Sequence, residues 1–267
     1  MAREQQVYVF IYLPGETTAV PAGVFTHYPD DGIGRFSYGR RYLERPNALP
    51  VDTVALPLGT RAKDVTTNGG LYGAFRDASP DYWGRLVIAA EAKVPPETLG
   101  EMDYLLQANA SRVGNLDFRG SLDQGEPERR PPAFQSLGEL LEAASRLQEG
   151  GEVSQGLLRL LEQGSSVVGA RPKCTVELEG ALWIAKFPAK GDTVNFPRIE
   201  HATMALAKEC GIASTTTPGP NWFTSSRYGY FLRMLRGHRA TNRKPFPIWK
   251  NGVYSDWSPQ RTVVKGQ

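Results

Sequence analysis

The chain has 267 residues, of which 40% are hydrophobic and 22% charged, so it can bury the core of one large domain or two modest ones. Its net charge is +3, but the charge is unevenly distributed along the chain. Residues 227–267 hold nine of the 31 basic residues and one of the 28 acidic ones, whereas the residues before them carry a net negative charge. There is no apolar run of membrane-helix length and no secretory signal, and Cys174 and Cys210 have neither disulfide nor metal spacing, so we expect a reduced cytoplasmic protein with no membrane contact.

The first predicted elements are four short strands. Alternating apolar residues, separated by turn residues, predict strands over 7–13, 22–26, 34–38 and 51–56. The connections are too short for parallel crossovers, so we expect a small antiparallel sheet. Helices are predicted over 80–93 and 101–110, which completes a first subdomain at 1–120. Asp77 and Asp81 are more readily explained as helix-capping residues than as a catalytic carboxylate pair.

The middle of the chain, residues 121–163, is predicted to be a linker followed by two helices. Glycine, proline and charged residues dominate 120–132, which is typical of a linker. Ser136 and Glu139 then have the spacing of a capping box and precede an apolar helical face. A shorter helix is predicted over 154–163.

A third region combines a loop of small residues with a predicted hairpin. Residues 164–173 are rich in glycine and serine and precede strands at 174–178 and 181–187. Small residues let backbone amides approach phosphate oxygens. Lys186 lies in the second strand, where its charge can reach those phosphates, and Glu200 on the next predicted helix can pair with it. A glycine-rich loop, a strand lysine and a helix glutamate are recurring parts of a protein-kinase N-lobe.

Each of these signals also has a simpler explanation that the sequence leaves open. The small residues could only end a helix and begin a hairpin. Lys186 could be an ordinary exposed strand residue, and Glu200 could favour the start of its helix through the helix dipole. The basic residues 227–267 could bind nucleic acid, although solvated charge is the simpler interpretation.

Four segments resemble consecutive motifs of the HipA family of serine/threonine kinases, the toxins of bacterial toxin–antitoxin pairs. Residues 74–85 (AFRDASPDYWGR) are similar to the signature of the N-terminal subdomain of that family. Residues 166–173 (SVVGARPK), 183–188 (WIAKFP) and 198–212 resemble its kinase N-lobe. The resemblance covers roughly residues 7 to 230, with the motifs in the family's order. It implies an α+β fold in which an antiparallel N-terminal subdomain precedes a kinase-like N-lobe at 164–233.

The resemblance also implies a role for each matching residue. Ser166 lies where members of the family autophosphorylate. Lys186 would contact the α/β-phosphates of ATP, with Mg²⁺ as the metal, and Glu200 would pair with it. The backbone amides around the phosphates would come from Val167, Val168, Gly169, Ala170 and Arg171.

The family resemblance extends to partners. It implies transfer of phosphate to a protein serine or threonine, in an aminoacyl-tRNA synthetase for known members. The partner would be a HipB-like helix-turn-helix antitoxin, and operator DNA would be bound only through the complex of the two proteins.

The sequence departs from the family pattern beyond about residue 233. The family's catalytic Asp and its metal-binding Asn and Asp lie further along, whereas the similar run 236–242 has Arg236 in place of the Asp. We therefore expect no catalytic residue in this chain, an atypical and disordered basic tail at 234–267, and a truncated kinase that is inactive in isolation. The alternative is a non-catalytic remnant that binds the antitoxin, or a pseudogene product.

Overall fold

The structure is a computed structural model that describes residues 4–108, 112, 114–125, 137–164, 170–178 and 181–212, and the backbone of three strands within 231–254. In these ranges the protein is α+β, with antiparallel sheets and several helices. This agrees with the predicted fold class at that level. None of the helices described is long and apolar enough to cross a membrane.

The first sheet has five antiparallel strands in the order β4-β3-β2-β1-β5. The strands are β1 (Gln5–Ile11), β2 (Val20–Tyr28), β3 (Ile33–Tyr38), β4 (Lys63–Val65) and β5 (Leu116–Arg119). Three helices accompany it, namely α1 (Arg40–Leu43), α2 (Gly73–Ala78) and α4 (Glu101–Gln107). The hairpins β1–β2 and β2–β3 follow the predicted order, because alternating apolar side chains place one face of each strand in a core.

Phe75 on α2 lies at the centre of that first core. Its ring is fully buried and makes edge-on contacts with four aromatic rings, three on the sheet and one at the start of α2, at centroid distances of 4.9 to 5.9 Å. Those rings belong to Phe25, Phe36, Tyr72 and Phe118. The first core therefore depends on aromatic packing between one short helix and the sheet.

The predicted fourth strand at 51–56 is wrong. The Asp52 carboxylate accepts hydrogen bonds from the amides of Val54 (2.8 Å) and Ala55 (2.9 Å), and this turn brings Leu56 back to Asp52. A side chain that bonds to nearby backbone amides competes with strand pairing, so the apolar run folds as a turn. The strand that completes this edge is β4, which pairs with β3 through a more polar segment.

A second group of elements surrounds a separate core. It comprises α3 (Tyr82–Ala92), α5 (Leu137–Glu149), α6 (Gln155–Gly164) and a three-stranded sheet in the order β6-β7-β8. The strands are β6 (Lys173–Leu178), β7 (Ala181–Lys186) and β8 (Phe231–Arg239), and α7 (Phe196–Glu209) precedes β8. A further short pair, β9 (Trp249–Lys250) with β10 (Val253–Tyr254), lies nearer the C-terminus.

Two elements, α3 and β8, pack across the predicted domain boundaries. Although α3 lies within the predicted first subdomain, its Trp83 and Val87 belong to the second core, together with side chains of α5, α6, β6 and β7. Strand β8 crosses the predicted boundary at residue 233, because its backbone pairs with β7 as far as Arg239. The capping-box Ser136 and most of the predicted linker lie outside the described residues.

The two cysteines are expected to differ strongly in reactivity. Cys174 is buried in the second core, where burial raises the pKa of its thiol, whereas Cys210 is exposed. We expect a thiol reagent to label Cys210 rapidly and Cys174 about a thousandfold more slowly, because Cys174 reacts only after the core opens. Mass spectrometry of the labelled chain, with Cys210→Ser as the control, measures this. Rapid labelling of native Cys210→Ser would contradict the described core.

Candidate functional site

The candidate site lies on one face of the hairpin formed by β6 and β7. Successive side chains of a strand point to opposite faces, and Cys174 and Ala185, which are paired across the hairpin, both lie in the second core. The preceding and following pairs therefore point to the other face. These are Lys173 opposite Lys186 and Thr175 opposite Ile184. Two lysines thus lie side by side on the face of the hairpin opposite to Cys174 and Ala185.

Lys186 is held by the glutamate that the sequence singled out. Its Nζ lies 2.5 Å from Oε1 of Glu200, and both side chains are 29% exposed. Glu200 lies in the second turn of α7, whose start is fixed by Asn195, which accepts a hydrogen bond from the amide of Arg198. The ion pair therefore joins the sheet to α7, and the Lys186 side chain stays partly exposed.

Lys173 is a second cation that the motif analysis did not identify. Its side chain is 5% exposed, and its Nζ lies 3.0 Å from Oδ2 of Asp81. Burial lowers the pKa of Lys173, while the Asp81 carboxylate opposes that effect and the charge on Lys186 adds to it. The signal that could have found it was hairpin register, since a predicted turn between the two strands places residue 173 opposite residue 186.

The main chain of Lys173 is bound by the same segment that binds its side chain. The indole Nε1 of Trp83 donates to the carbonyl oxygen of Lys173 at 2.8 Å. The Asp81 carboxylate also accepts from the amide of Gly84 at 3.0 Å and caps α3, which confirms the predicted capping role. The segment 81–84 thus binds both the carbonyl oxygen and the ammonium of Lys173.

The predicted phosphate loop is only partly described. Ser166, Val167, Val168 and Gly169 lie outside the described residues, whereas Ala170 and Arg171 are exposed. The guanidinium of Arg171 makes two 2.8 Å hydrogen bonds to Asp192 and lies 4.0 Å from the ring centroid of Phe196. The pKa of Asp192 is lowered by this contact. The side chain of Arg171 is therefore bound to the loop before α7.

The backbone that follows Arg171 runs beside the end of β7. The amide of Phe187 donates to the carbonyl oxygen of Pro172 at 2.9 Å, directly next to the Lys173–Lys186 pair. The described end of the predicted loop is thus adjacent in space to Lys186. The residues that would supply most of the phosphate-binding amides, 166–169, lie outside the described residues, so this part of the prediction stays a prediction.

Beyond the lysines the same face becomes mainly apolar. Thr175 and Ile184 form the next pair, about 7 Å along the strands. Both are buried, and the Thr175 hydroxyl has no hydrogen-bond partner in the part of the chain that the structure describes. The face therefore has two cations at one end, whereas its other end is buried in protein.

The described residues do not supply an obvious metal site. Within those residues, the acidic, histidine and cysteine side chains do not assemble into a group of three that could hold a metal ion. The carboxylates nearest to the site, those of Asp81 and Glu200, are each paired with a lysine. The Mg²⁺ implied by the resemblance stays a prediction.

No protein-family model matches the chain, and no curated protein matches it significantly. The function is therefore inferred from the motifs and from this geometry.

Proposed function

We propose that the face of the β6–β7 hairpin binds the phosphates of ATP, as part of a HipA-like serine/threonine kinase toxin. The observation that supports this most directly is the Lys186–Glu200 ion pair, at 2.5 Å, on a sheet face next to the described end of a glycine-rich loop. A strand lysine held extended by a helix glutamate is the arrangement by which kinase N-lobes orient the α/β-phosphates.

The second lysine strengthens the case for a polyanionic ligand. Placing Lys173 directly opposite Lys186 costs free energy, because like charges across a strand pair repel and Lys173 is also desolvated. Asp81 pairs with Lys173 and Glu200 with Lys186, which offsets part of that cost. A triphosphate placed over the pair would offset more of it, since charge-assisted hydrogen bonds to phosphate are among the strongest that side chains make.

The resemblance supplies the rest of the proposal. In the HipA family ATP carries the phosphate, Mg²⁺ assists and Ser166 occupies the position of autophosphorylation. A HipB-like antitoxin would be the partner, an aminoacyl-tRNA synthetase the substrate, and operator DNA a ligand of the complex only. The Lys186 ammonium would bind and orient the phosphates, and Mg²⁺ would neutralise the charge that develops on phosphoryl transfer.

Calorimetric titration with Mg·ATP tests the assignment. We expect Lys186→Met to weaken binding about 10- to 100-fold, because it removes a charge-assisted contact while retaining the length of the side chain. Lys190→Met is the matched control, since Lys190 is an exposed lysine only four residues away and should bind as the unchanged chain does. Equal affinities for the two variants would contradict the proposal.

The non-catalytic alternative is favoured by one observation, which is that both lysines already have carboxylate partners. The four charges could form a neutral structural network that joins α3, the hairpin and α7. In that case Lys186→Met would reduce stability without any change in ATP binding, and the unchanged chain would bind ATP and adenosine equally weakly. Thermal unfolding of the same variants, with and without Mg·ATP, separates the two functions.

A further inference from the structure

A short segment of the N-terminal region reaches the candidate phosphate site. Asp81 lies 92 positions before Lys173 in the chain, yet its carboxylate is 3.0 Å from the Lys173 ammonium. Two residues later, the buried Trp83 donates a hydrogen bond to the Lys173 carbonyl oxygen. The sequence of the predicted loop therefore does not by itself determine the position of Lys173.

Asp81 is itself fixed by contacts within the N-terminal region. Its other carboxylate oxygen accepts from the Gly84 amide, which caps α3. One turn further on, Arg85 donates to the Pro80 carbonyl oxygen at 3.0 Å and makes two 2.7 Å hydrogen bonds to Glu101 of α4. These contacts tie the start of α3 to α4, so Asp81 has little freedom to move away from Lys173.

Lys173 needs such a partner because of where it lies. Its side chain is almost fully buried, and among the described residues Asp81 at the start of α3 and Lys186 on β7 act on its charge. Burial and Lys186 both disfavour the charged form of Lys173, whereas Asp81 favours it. Without the carboxylate, Lys173 would lose its proton at a lower pH or turn its ammonium toward water.

We propose that Asp81 is a positioning residue for the phosphate site, which holds Lys173 charged and aimed along the sheet face beside Lys186. This inference rests on the proposed function, because it treats Lys173 as a cation for the phosphates. If Asp81 has this role, nucleotide affinity depends on the segment 80–84. A substitution at the start of α3 would then alter nucleotide affinity although the substituted residue does not contact the nucleotide.

The variant that tests this is Asp81→Asn in the full chain. Asparagine keeps an oxygen that can accept from the Gly84 amide, so the cap and the fold should persist. Asp103→Asn is the matched control, because Asp103 likewise accepts from a backbone amide, that of Gly100 at the start of α4. It removes the same charge from the first turn of a helix that does not contact Lys173. Thermal unfolding verifies that both variants are folded.

Two measurements are made on each variant. Calorimetry with Mg·ATP should give about tenfold weaker binding for Asp81→Asn than for Asp103→Asn near neutral pH, as expected for the loss of one charge-assisted contact. The deficit should widen as the pH rises, because the pKa of Lys173 is lower without Asp81 and its charge is lost earlier. Separately, acylation without nucleotide, followed by mass spectrometry, should modify Lys173 several-fold faster in Asp81→Asn, relative to the exposed Lys190 as an internal reference.

The two measurements distinguish failure of this inference from failure of the proposed function. Equal ATP affinity in the two variants, or unchanged acylation of Lys173, would overturn the positioning role. If the unchanged chain does not bind Mg·ATP while Lys173 acylation still rises in Asp81→Asn, then the proposed nucleotide site is wrong, and Asp81 positions Lys173 for structure alone.

Discussion

Replacing Trp83 with alanine is expected to lower the free energy of unfolding by about 3–5 kcal/mol, which is the usual cost of removing a large aromatic side chain from a core. Trp83 is one of the largest fully buried side chains and packs in the second core with residues of α5, α6, β6 and β7. It also donates to the carbonyl oxygen of Lys173 at 2.8 Å. The variant would therefore lose packing and leave a carbonyl oxygen of β6 without its donor.

Urea denaturation followed by circular dichroism measures this change. Tyr82→Ala is the matched control, because Tyr82 is adjacent on α3 but its side chain is exposed, so its replacement should change stability by less than about 0.5 kcal/mol. Trp83→Phe separates the two contributions, since it keeps most of the packing but loses the hydrogen bond, at a cost of about 1–3 kcal/mol. Similar stabilities for Trp83→Ala and Tyr82→Ala would mean that α3 does not belong to the second core.

The second large effect is expected for Phe75→Ala, which should also cost about 3–5 kcal/mol. Phe75 is fully buried on the short helix α2 and has edge-on contacts with Phe25 at 4.9 Å and Phe118 at 5.2 Å. Those partners lie on β2 and β5, the two strands that flank β1 in the sheet. The cavity would therefore open between the helix and these two strands. Each lost aromatic pair adds to the loss of buried area.

Val54→Ala is the control for this variant, because Val54 is an apolar residue of the same region whose side chain is 89% exposed. Urea denaturation of both chains should give a near-unchanged midpoint for Val54→Ala and a much lower one for Phe75→Ala. Equal midpoints would contradict the described core. Labelling of Cys174 in Phe75→Ala adds further information, since faster labelling would mean that the second core loosens when the first is damaged.

Those variants also bear on how the two groups of elements are connected. Phe75 and Trp83 are eight positions apart, yet they lie in different cores. The segment between them contains Pro80 and Asp81, which are bound by Arg85 and by Lys173. A change near residue 80 can therefore act on the sheet of the first core, on the hairpin of the second, and on the candidate site.

Much of the local structure could be predicted, because its causes are local. Alternating apolar residues indicated β1 to β3, and the spacing of small and apolar residues indicated α5, α6 and the β6–β7 hairpin. The prediction at 51–56 failed because period-two alternation does not reveal that Asp52 can bond to the amides two and three residues on. Alternation alone also passed over β4, whose short segment is polar.

The residues of the candidate site were likewise predicted only in part. The motif order singled out Lys186 and Glu200, whose ammonium and carboxylate the structure brings to 2.5 Å. Lys173 was not identified from the sequence, although the register of the hairpin places it opposite Lys186. Asp81 was interpreted as a cap, which is correct, but its second contact joins residues that are 92 positions apart.

The sequence by itself therefore determined the strands β1 to β3, β6 and β7 and the helices α3 to α7, since periodicity, caps and two-residue turns act within a few residues of each other. The tertiary structure alone decided that α3 packs in the second core and that Asp81 and Trp83 hold Lys173. The physical reason is that burial of an apolar face is satisfied by any complementary surface. The choice of partner emerges only when all of the elements compete for the same core.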